Sequence, residues 1–228
     1  LRSEGGLAEP QRWWDVDFSQ RSTAGQGALE EELLAIMREA VSSRMVADVP
    51  LGAFLSGGVD SSSVVALMAE QSRRAVTTCS IGFDEAALDE SSHARTIADR
   101  FATDHHSRTV GADQFEQIDR LAEIYDEPFA DASALPTLSV CELAREHVTV
   151  ALSGDGADEA LAGYRRQVFH AGEERIRGLI PQTVRGPLLG TLGKLYPKAD
   201  WAPRPLRAKT TLLSLAGSGE AGYADALG

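Results

Sequence analysis

The chain has 228 residues, enough to bury a sizeable core in one large domain. Hydrophobic residues make up 43% and charged residues 25%, the balance of a soluble globular protein, and no stretch approaches the ~20 apolar residues of a membrane-spanning helix. The formal net charge of -12 argues against a nucleic-acid backbone as partner, and the expected compartment is the cytoplasm. The two cysteines, Cys79 and Cys141, sit in apolar-rich segments and read as buried core thiols in a reducing compartment.

In chain order, residues 1 to 26 read as an arm. Leu1 to Glu9 has the composition of a linking or disordered segment, and Trp13 and Trp14 are expected to pin the arm to a domain surface. Leu33, Ile36, Met37, Ala40 and Val41 recur at helical spacing behind Glu30-Glu31-Glu32, acids that suit the positive end of a helix dipole. Strand and helix then alternate. Strands are expected at Val49 to Leu55, Val76 to Gly82, His105 to Val110 and Val148 to Leu152. Helices are expected at Ser61 to Ser72, Glu90 to Phe101, Gln114 to Tyr125 and Leu138 to His147. This alternation argues for an α/β fold with a doubly wound parallel sheet. From residue 172 onward, Leu179, Ile180, Leu188, Leu189, Leu192 and Leu195 recur between prolines, the pattern of a helical extension packed on the sheet domain. The expected division is therefore an arm (1–26), a sheet domain (27–171) and a helical extension (172–228).

Chemistry concentrates where strands run into glycine. In Ser56-Gly57-Gly58-Val59-Asp60-Ser61-Ser62, the glycines let main-chain N–H groups approach a phosphate, and the following helix adds its positive dipole end. Ser56, Ser61 and Ser62 add hydroxyls. Asp60 would repel a phosphate unless a divalent cation sat between them, so it reads as a magnesium ligand in preference to a helix cap. The pattern is not a Walker loop, because no Gly-Lys-Ser/Thr follows. In Ser153-Gly154-Asp155-Gly156-Ala157-Asp158-Glu159 the plan repeats after a β-branched strand, with three acids at a helix start that need a counter-charge.

The first run resembles the pyrophosphate loop of the ATP-pyrophosphatase group. The second, followed by Ala162-Gly163-Tyr164 and taken with Tyr125-Asp126-Glu127-Pro128 and Cys79-Ser80-Ile81-Gly82, resembles the glutamine-hydrolysing asparagine synthetase B family over about Leu29 to Arg166. That resemblance implies a five-stranded parallel sheet of the adenine-nucleotide α-hydrolase-like type. It implies ATP and Mg2+ as cofactors, adenylation of a carboxylate such as the aspartate side chain, and release of pyrophosphate. Ammonia from glutamine then forms the amide. It also implies site roles. Leu55, Ile81, Ser153 and Gly154 would hold the adenosine part, Ser56, Gly57, Gly58, Ser61 and Ser62 the phosphates, and Asp60 with Asp158 the magnesium. Asp155 would sit beside the reacting carboxylate.

The same resemblance implies a glutaminase domain in the parent chain, with nothing here matching it, and admits a homodimer. It calls for a lysine after the second motif that none of Lys194, Lys198 and Lys209 matches, so the fragment is expected to be inactive alone. Family members usually carry Glu at the position of Asp155, which leaves the acceptor open. The run Leu195-Tyr196-Pro197-Lys198 through Lys209-Thr210-Thr211 looks like a bacterial amidotransferase subgroup linked to exosortase. ATP binding without turnover, or a tRNA-thiolating or GMP-forming pyrophosphatase relative, stands as the alternative. Three other features read blandly: His105-His106 as solvent or edge positions, Arg165-Arg166 as a surface pair with a pyrophosphate-facing alternative, and Tyr164 as either near the nucleotide or in the core.

Overall fold

A computed structural model of the chain describes residues 2–3, 6–7, 11–15, 22–87, 89–111, 117–126, 129, 131, 133–197 and 208–225. Glu127, Pro128, Lys198, Pro203, Pro205 and the first residues of the helix expected from Gln114 lie outside them.

The chain opens with two two-residue strands, β1 (Arg2–Ser3) and β2 (Gly6–Leu7), paired antiparallel where the composition suggested an unstructured link. Helix α1 (Gln26–Arg44) precedes β3 (Leu51–Phe54), α2 (Val59–Gln71), β4 (Thr77–Phe83), α3 (Ser91–Phe101) and β5 (Asp104–Val110). Helices α4 (Ile118–Tyr125) and α5 (Ala134–Arg145) lead back to β6 (Val150–Leu152) and the short helix α6 (Ala157–Leu161). Among the described residues the main sheet has four strands in the order β5-β4-β3-β6, all parallel. These are the four strands the sequence located; a fifth is not among the described residues.

Parallel strands buried on both faces favour near-continuous apolar runs, and β3 has one (Leu-Gly-Ala-Phe), whereas β4 also buries the polar Thr78 and Ser80. On one face α1, α2 and α3 cover the sheet with Val41, Ala53, Leu55, Val65, Leu67, Met68 and Val76. Fully burying a side chain such as Val65 or Met68 contributes roughly 1.5–3 kcal/mol. On the other face α5 packs through Leu143 and Ala144 against Cys79 and Val148. The edge strand β5 is more polar. His105 and His106 point to opposite faces there: His105 Nδ1 lies 2.9 Å from Thr78 Oγ1, while His106 stacks on His147 at 3.6 Å. Burial, with Arg95 as a second cause, pulls the His105 pKa below its usual value.

The chain moves outward from β3 to β4 and β5, then crosses back to place β6 on the other side of β3. The strand order therefore reverses between β3 and β6. That switch point, at the carboxyl ends of the strands, is where open α/β sheets hold ligands.

Four expectations are corrected. Helix α1 starts at Gln26, a turn before the acids, so Glu30 to Glu32 miss the first turn and the dipole argument fails for them. Its apolar stripe is only partly covered, with Ile36 57% exposed. Trp13 and Trp14 are 92% and 65% exposed, so they do not pin the arm. Cys79 is buried, with its thiol pushed up to about 11 mainly by that burial, but Cys141 is exposed. Its place on α5 faces away from the sheet.

The extension is helical as expected: α7 (Arg165–Leu179), α8 (Gln182–Leu195), α9 (Lys209–Ala216) and α10 (Gly219–Asp225). Its principal contacts, among the described residues, are α8 with α9 and α10 with α7 and α9, so it packs chiefly on itself and not on the sheet. Two buried arginines hold it. Arg177 donates to the Ser214 carbonyl at 2.9 Å, which also accepts from the Gly217 N–H at 3.1 Å, and Arg185 donates to the Gly217 carbonyl at 2.9 Å, tying α7 and α8 to the end of α9. Helix α7 runs without a break across residues 171 and 172, the division expected from composition.

Candidate nucleotide site at the strand switch point

The first turn is locked from within. Gly57 has φ +85°, and a Cβ there would come within 2.5–2.6 Å of the backbone at His93 and Ala94 in the first turn of α3. Only glycine fits, for both backbone and space. Ser56 and Ser61 cross-brace the loop: their hydroxyls lie 2.9 Å apart, and the Ser56 hydroxyl accepts from the Gly58 N–H at 3.2 Å. Gly58 caps α2 in an extended conformation without a side-chain partner, leaving the first N–H groups of a thirteen-residue helix for an anion. The Ser62 hydroxyl is withdrawn from solvent and has no hydrogen-bond partner among the described residues.

The second turn rests on the first. A Cβ on Gly154 would fall 2.7 Å from the Ser61 nitrogen and 2.9 Å from the Asp60 carbonyl carbon, so the two turns are in backbone contact. Within the turn, the Ser153 hydroxyl donates to Asp155 at 2.6 Å and accepts from the Asp155 N–H at 3.1 Å. Gly156, at φ +88°, starts α6. Gly163 is needed for a different reason: any Cβ there would land on the Asp158 carboxylate. The Gly-Tyr that follows the motif thus leaves space for an acid of the motif. Tyr164 then caps α7 together with Gln167, and its hydroxyl donates to Glu159.

Between the turns lies a cavity of about 470 Å3 lined by Ser56, Asp60, Ser61, Ser153, Gly154, Asp155, Asp158, Glu159 and Tyr164. Phe54, Thr137, Val140 and Gly156 complete its wall. Next to it, sharing Phe54, Ser56 and Val140, is a more apolar cavity of about 210 Å3 that includes Leu55, Cys79, Ile81, Phe83, Glu90 and Pro136. Of the residues expected to hold adenosine, Leu55 and Ile81 line the smaller cavity, whereas Ser153 and Gly154 line the larger one beside Ser61, and Ser56 borders both. Gly57, Gly58 and Ser62 line neither cavity; Gly57 and Gly58 shape the turn. Arg166 does not reach the larger cavity, and Tyr164 does.

Four carboxylates face the larger cavity, and no Lys or Arg lines it. Such a surface repels a bare polyphosphate and accepts one only with a divalent cation between them. The donor set, carboxylates and hydroxyls, is that of a hard cation such as Mg2+. Among the described residues no group of three or more His, Cys, Asp or Glu side chains is placed to hold a metal ion by itself. The Glu159 carboxyl is held below its usual range, first by the Tyr164 hydroxyl, and the Tyr164 hydroxyl is correspondingly raised by Glu159.

Thr137 and Val140 were not found from sequence. They reach the cavity from α5, across the sheet from α2, and no local motif marks a residue that tertiary packing alone brings in. Tyr125 stacks on Phe129 at 4.3 Å beyond the end of α4, away from both cavities as described.

Comparison with known proteins gives the chain's relatives. The family model for asparagine synthase matches residues 32–223. A putative glutamine-hydrolyzing asparagine synthetase 2 of Methanocaldococcus jannaschii is 49% identical over 138 residues, 60% of this chain and 27% of that protein. Glutamine-hydrolyzing asparagine synthetase 1 of Bacillus subtilis is 36% identical over 140 residues, 59% of this chain and 22% of that protein. Amidase chyE of Penicillium rubens is 29% identical over 178 residues, 68% of this chain and 26% of that protein. A solved NH3-dependent NAD synthetase from Campylobacter jejuni aligns over 87% of this chain and 96% of its own, at 11% identity and a TM-score of 0.38. The matches to these curated relatives span about a quarter of their length. Since the family model covers most of the chain, both glycine turns included, the protein belongs to the asparagine synthase family.

Proposed function

We propose that this chain is the ATP-using part of an amide-forming ligase. ATP lies across the two turns, with adenosine against Leu55, Ile81, Ser153 and Gly154 and the phosphates against Ser56, Gly57, Gly58, Ser61 and Ser62. Mg2+, held by Asp60 and Asp158, supplies the positive charge that the acids require beside a polyphosphate. An oxygen of the acceptor carboxylate attacks the α-phosphorus, and the bond to the β-phosphate oxygen breaks to release pyrophosphate. The resulting acyl-adenylate has a good leaving group. Ammonia adds at its acyl carbon, AMP departs, and Asp155 orients the reacting carboxylate and ammonia. The acceptor is the aspartate side chain, the ammonia comes from glutamine by way of a glutaminase domain in the parent protein, and the parent is a homodimer.

The observation that carries this reading is the cavity between two backbone-contacting turns, at the switch point, lined by four acids and no base. The test is incubation of the parent protein with ATP, Mg2+, glutamine and candidate carboxylates, followed by assay of nucleotide products. AMP and pyrophosphate are expected. ADP and orthophosphate would overturn adenylation. One observation favours a second reading, nucleotide binding without turnover: Lys194 and Lys209 lie on α8 and α9, and neither lines the cavity. Tight ATP binding with no products at all would select that reading.

A further inference from the structure

Ser80 lines the smaller cavity beside Leu55 and Ile81, yet it is only 3% exposed. Its hydroxyl lies 3.3 Å from Nε2 of His105. Nδ1 of the same ring lies 2.9 Å from the Thr78 hydroxyl, which in turn lies 2.9 Å from that of Thr103. The sheet register explains the arrangement. Thr78 and Ser80 stand two apart on β4 and share a face, and β5 runs parallel with His105 opposite Thr78. The imidazole therefore spans both hydroxyls, and the row Thr103–Thr78–His105–Ser80 ends at the cavity.

Each hydroxyl has one proton and a neutral imidazole has one N–H, so the row can run in two directions. In one, Ser80 gives its proton to Nε2, Nδ1 donates to Thr78, and the Ser80 oxygen faces the cavity as an acceptor. In the other, Nε2 donates to Ser80, whose proton then turns to the cavity. A charged imidazole donates from both nitrogens and forbids the first direction. Burial holds the His105 pKa below its usual value; Arg95 from α3 and His106 from its own strand act the same way, and Asp99 from α3 opposes them. Beneath it β4 presents the uncharged Thr78 and Ser80, while His147 of the segment after α5 meets His106 on the opposite face. Near pH 7 the ring is neutral and both directions are open.

We propose that His105 is a positioning residue of the nucleotide site: as a neutral imidazole it takes the proton of Ser80, so that the Ser80 oxygen accepts from the exocyclic amine of the purine. The proposal rests on the reading above that adenosine lies against Leu55 and Ile81, and it gives that site a dependence on pH. A 6-oxo purine offers an acceptor in place of the amine and selects the opposite direction, the one that a protonated His105 also imposes. Protonation of His105 therefore weakens a 6-amino nucleotide and spares a 6-oxo one.

The test is calorimetric titration of the chain in Mg2+ with the α,β-methylene analogues of ATP and ITP, at pH 7.0 and pH 5.0. The two share their triphosphate, so its titration cancels in the ratio of their affinities. The ratio, ATP analogue over ITP analogue, should fall about fivefold or more from pH 7.0 to pH 5.0, as loss of one hydrogen bond requires. In Ser80→Ala and in His105→Gln it should stay constant within about twofold. Glu90 is the one charged residue lining this cavity among the described residues, and it too titrates on the acid side. A ratio that still falls in His105→Gln would assign the effect to Glu90 and overturn the proposal. So would a ratio in the unaltered chain that does not change with pH, a result that needs no variant to fold. Failure of the unaltered chain to bind either analogue at pH 7.0 would instead remove the nucleotide reading beneath it.

Discussion

After β3 the chain turns through Ser56-Gly57-Gly58 into a helix of thirteen residues, and after β6 it turns through Ser153-Gly154-Asp155-Gly156 into one of five. Both turns start with Ser-Gly, both hold one glycine at positive φ, and both deliver acids to the same cavity. They differ in what holds them. Gly57 is clamped by the backbone of α3, and α2 behind it puts Val65, Leu67 and Met68 into the core. Gly156 has nothing within 4 Å of where a Cβ would stand, and α6 buries no residue. The first turn is part of the core; the second is docked onto it through Gly154. One plan therefore yields a rigid half and a more adjustable half of the same site, and the carboxylates of Asp155 and Asp158 belong to the adjustable half.

Substitutions can break that contrast, and the largest effect is expected at the clamped glycine. Gly57→Ala meets both a left-handed backbone and a backbone clash, and should cost about 3 kcal/mol or more in urea unfolding. A loss below 1 kcal/mol would mean the clamp is not there. Gly154→Ala pushes its methyl into Ser61 and Asp60 at an ordinary φ, so about 1–3 kcal/mol is expected, with nucleotide affinity falling further than stability as the turns separate. Gly156→Ala has open space around it and only the left-handed backbone to accommodate, about 1–2 kcal/mol. A ranking in which Gly156→Ala is the worst of the three would reverse the account of which turn is rigid.

The smallest effect is expected at Tyr164→Phe, and it should depend on pH. The Tyr164 hydroxyl holds the Glu159 carboxyl below its usual range, so the stabilisation is present above the ordinary glutamate pKa and fades as pH falls through the lowered value. Tyr164 is raised, so its contribution holds below the ordinary tyrosine pKa and fades as pH rises through the raised one. Near pH 7 both groups make the bond, and Tyr164→Phe should lower stability slightly there. The difference from the unaltered chain should shrink at both extremes of a pH series. A difference that stays constant from acid to alkaline pH would show that the hydroxyl does not act through Glu159.

The sequence made the sheet and both turns legible because each rests on local chemistry. Short apolar or β-branched runs give strands, and Ser-Gly runs after β3 and β6 give phosphate-sized concavities. Of the adenosine positions read from the resemblance, 55 and 81 fall in the apolar cavity beside the turns, and 153 and 154 fall in the acidic one. What stayed hidden depends on packing between distant segments. The contact of Gly154 with Asp60 and Ser61 and the entry of Thr137 from α5 leave no mark in any window of residues. The same reason explains the misjudged exposure of Trp13, Trp14 and Cys141. Residue type says that such side chains favour burial, but only the fold decides whether a partner surface reaches them.

The central claim is that two acidic turns make one nucleotide site through a shared divalent cation. It is tested most directly by titrating the chain with α,β-methylene-ATP, once in Mg2+ and once in EDTA, and repeating both with Asp60→Asn. Binding in Mg2+ that is lost in EDTA, and a loss of about tenfold or more in Asp60→Asn, is the expected result. Equal affinity in Mg2+ and EDTA, undiminished in Asp60→Asn, would contradict it.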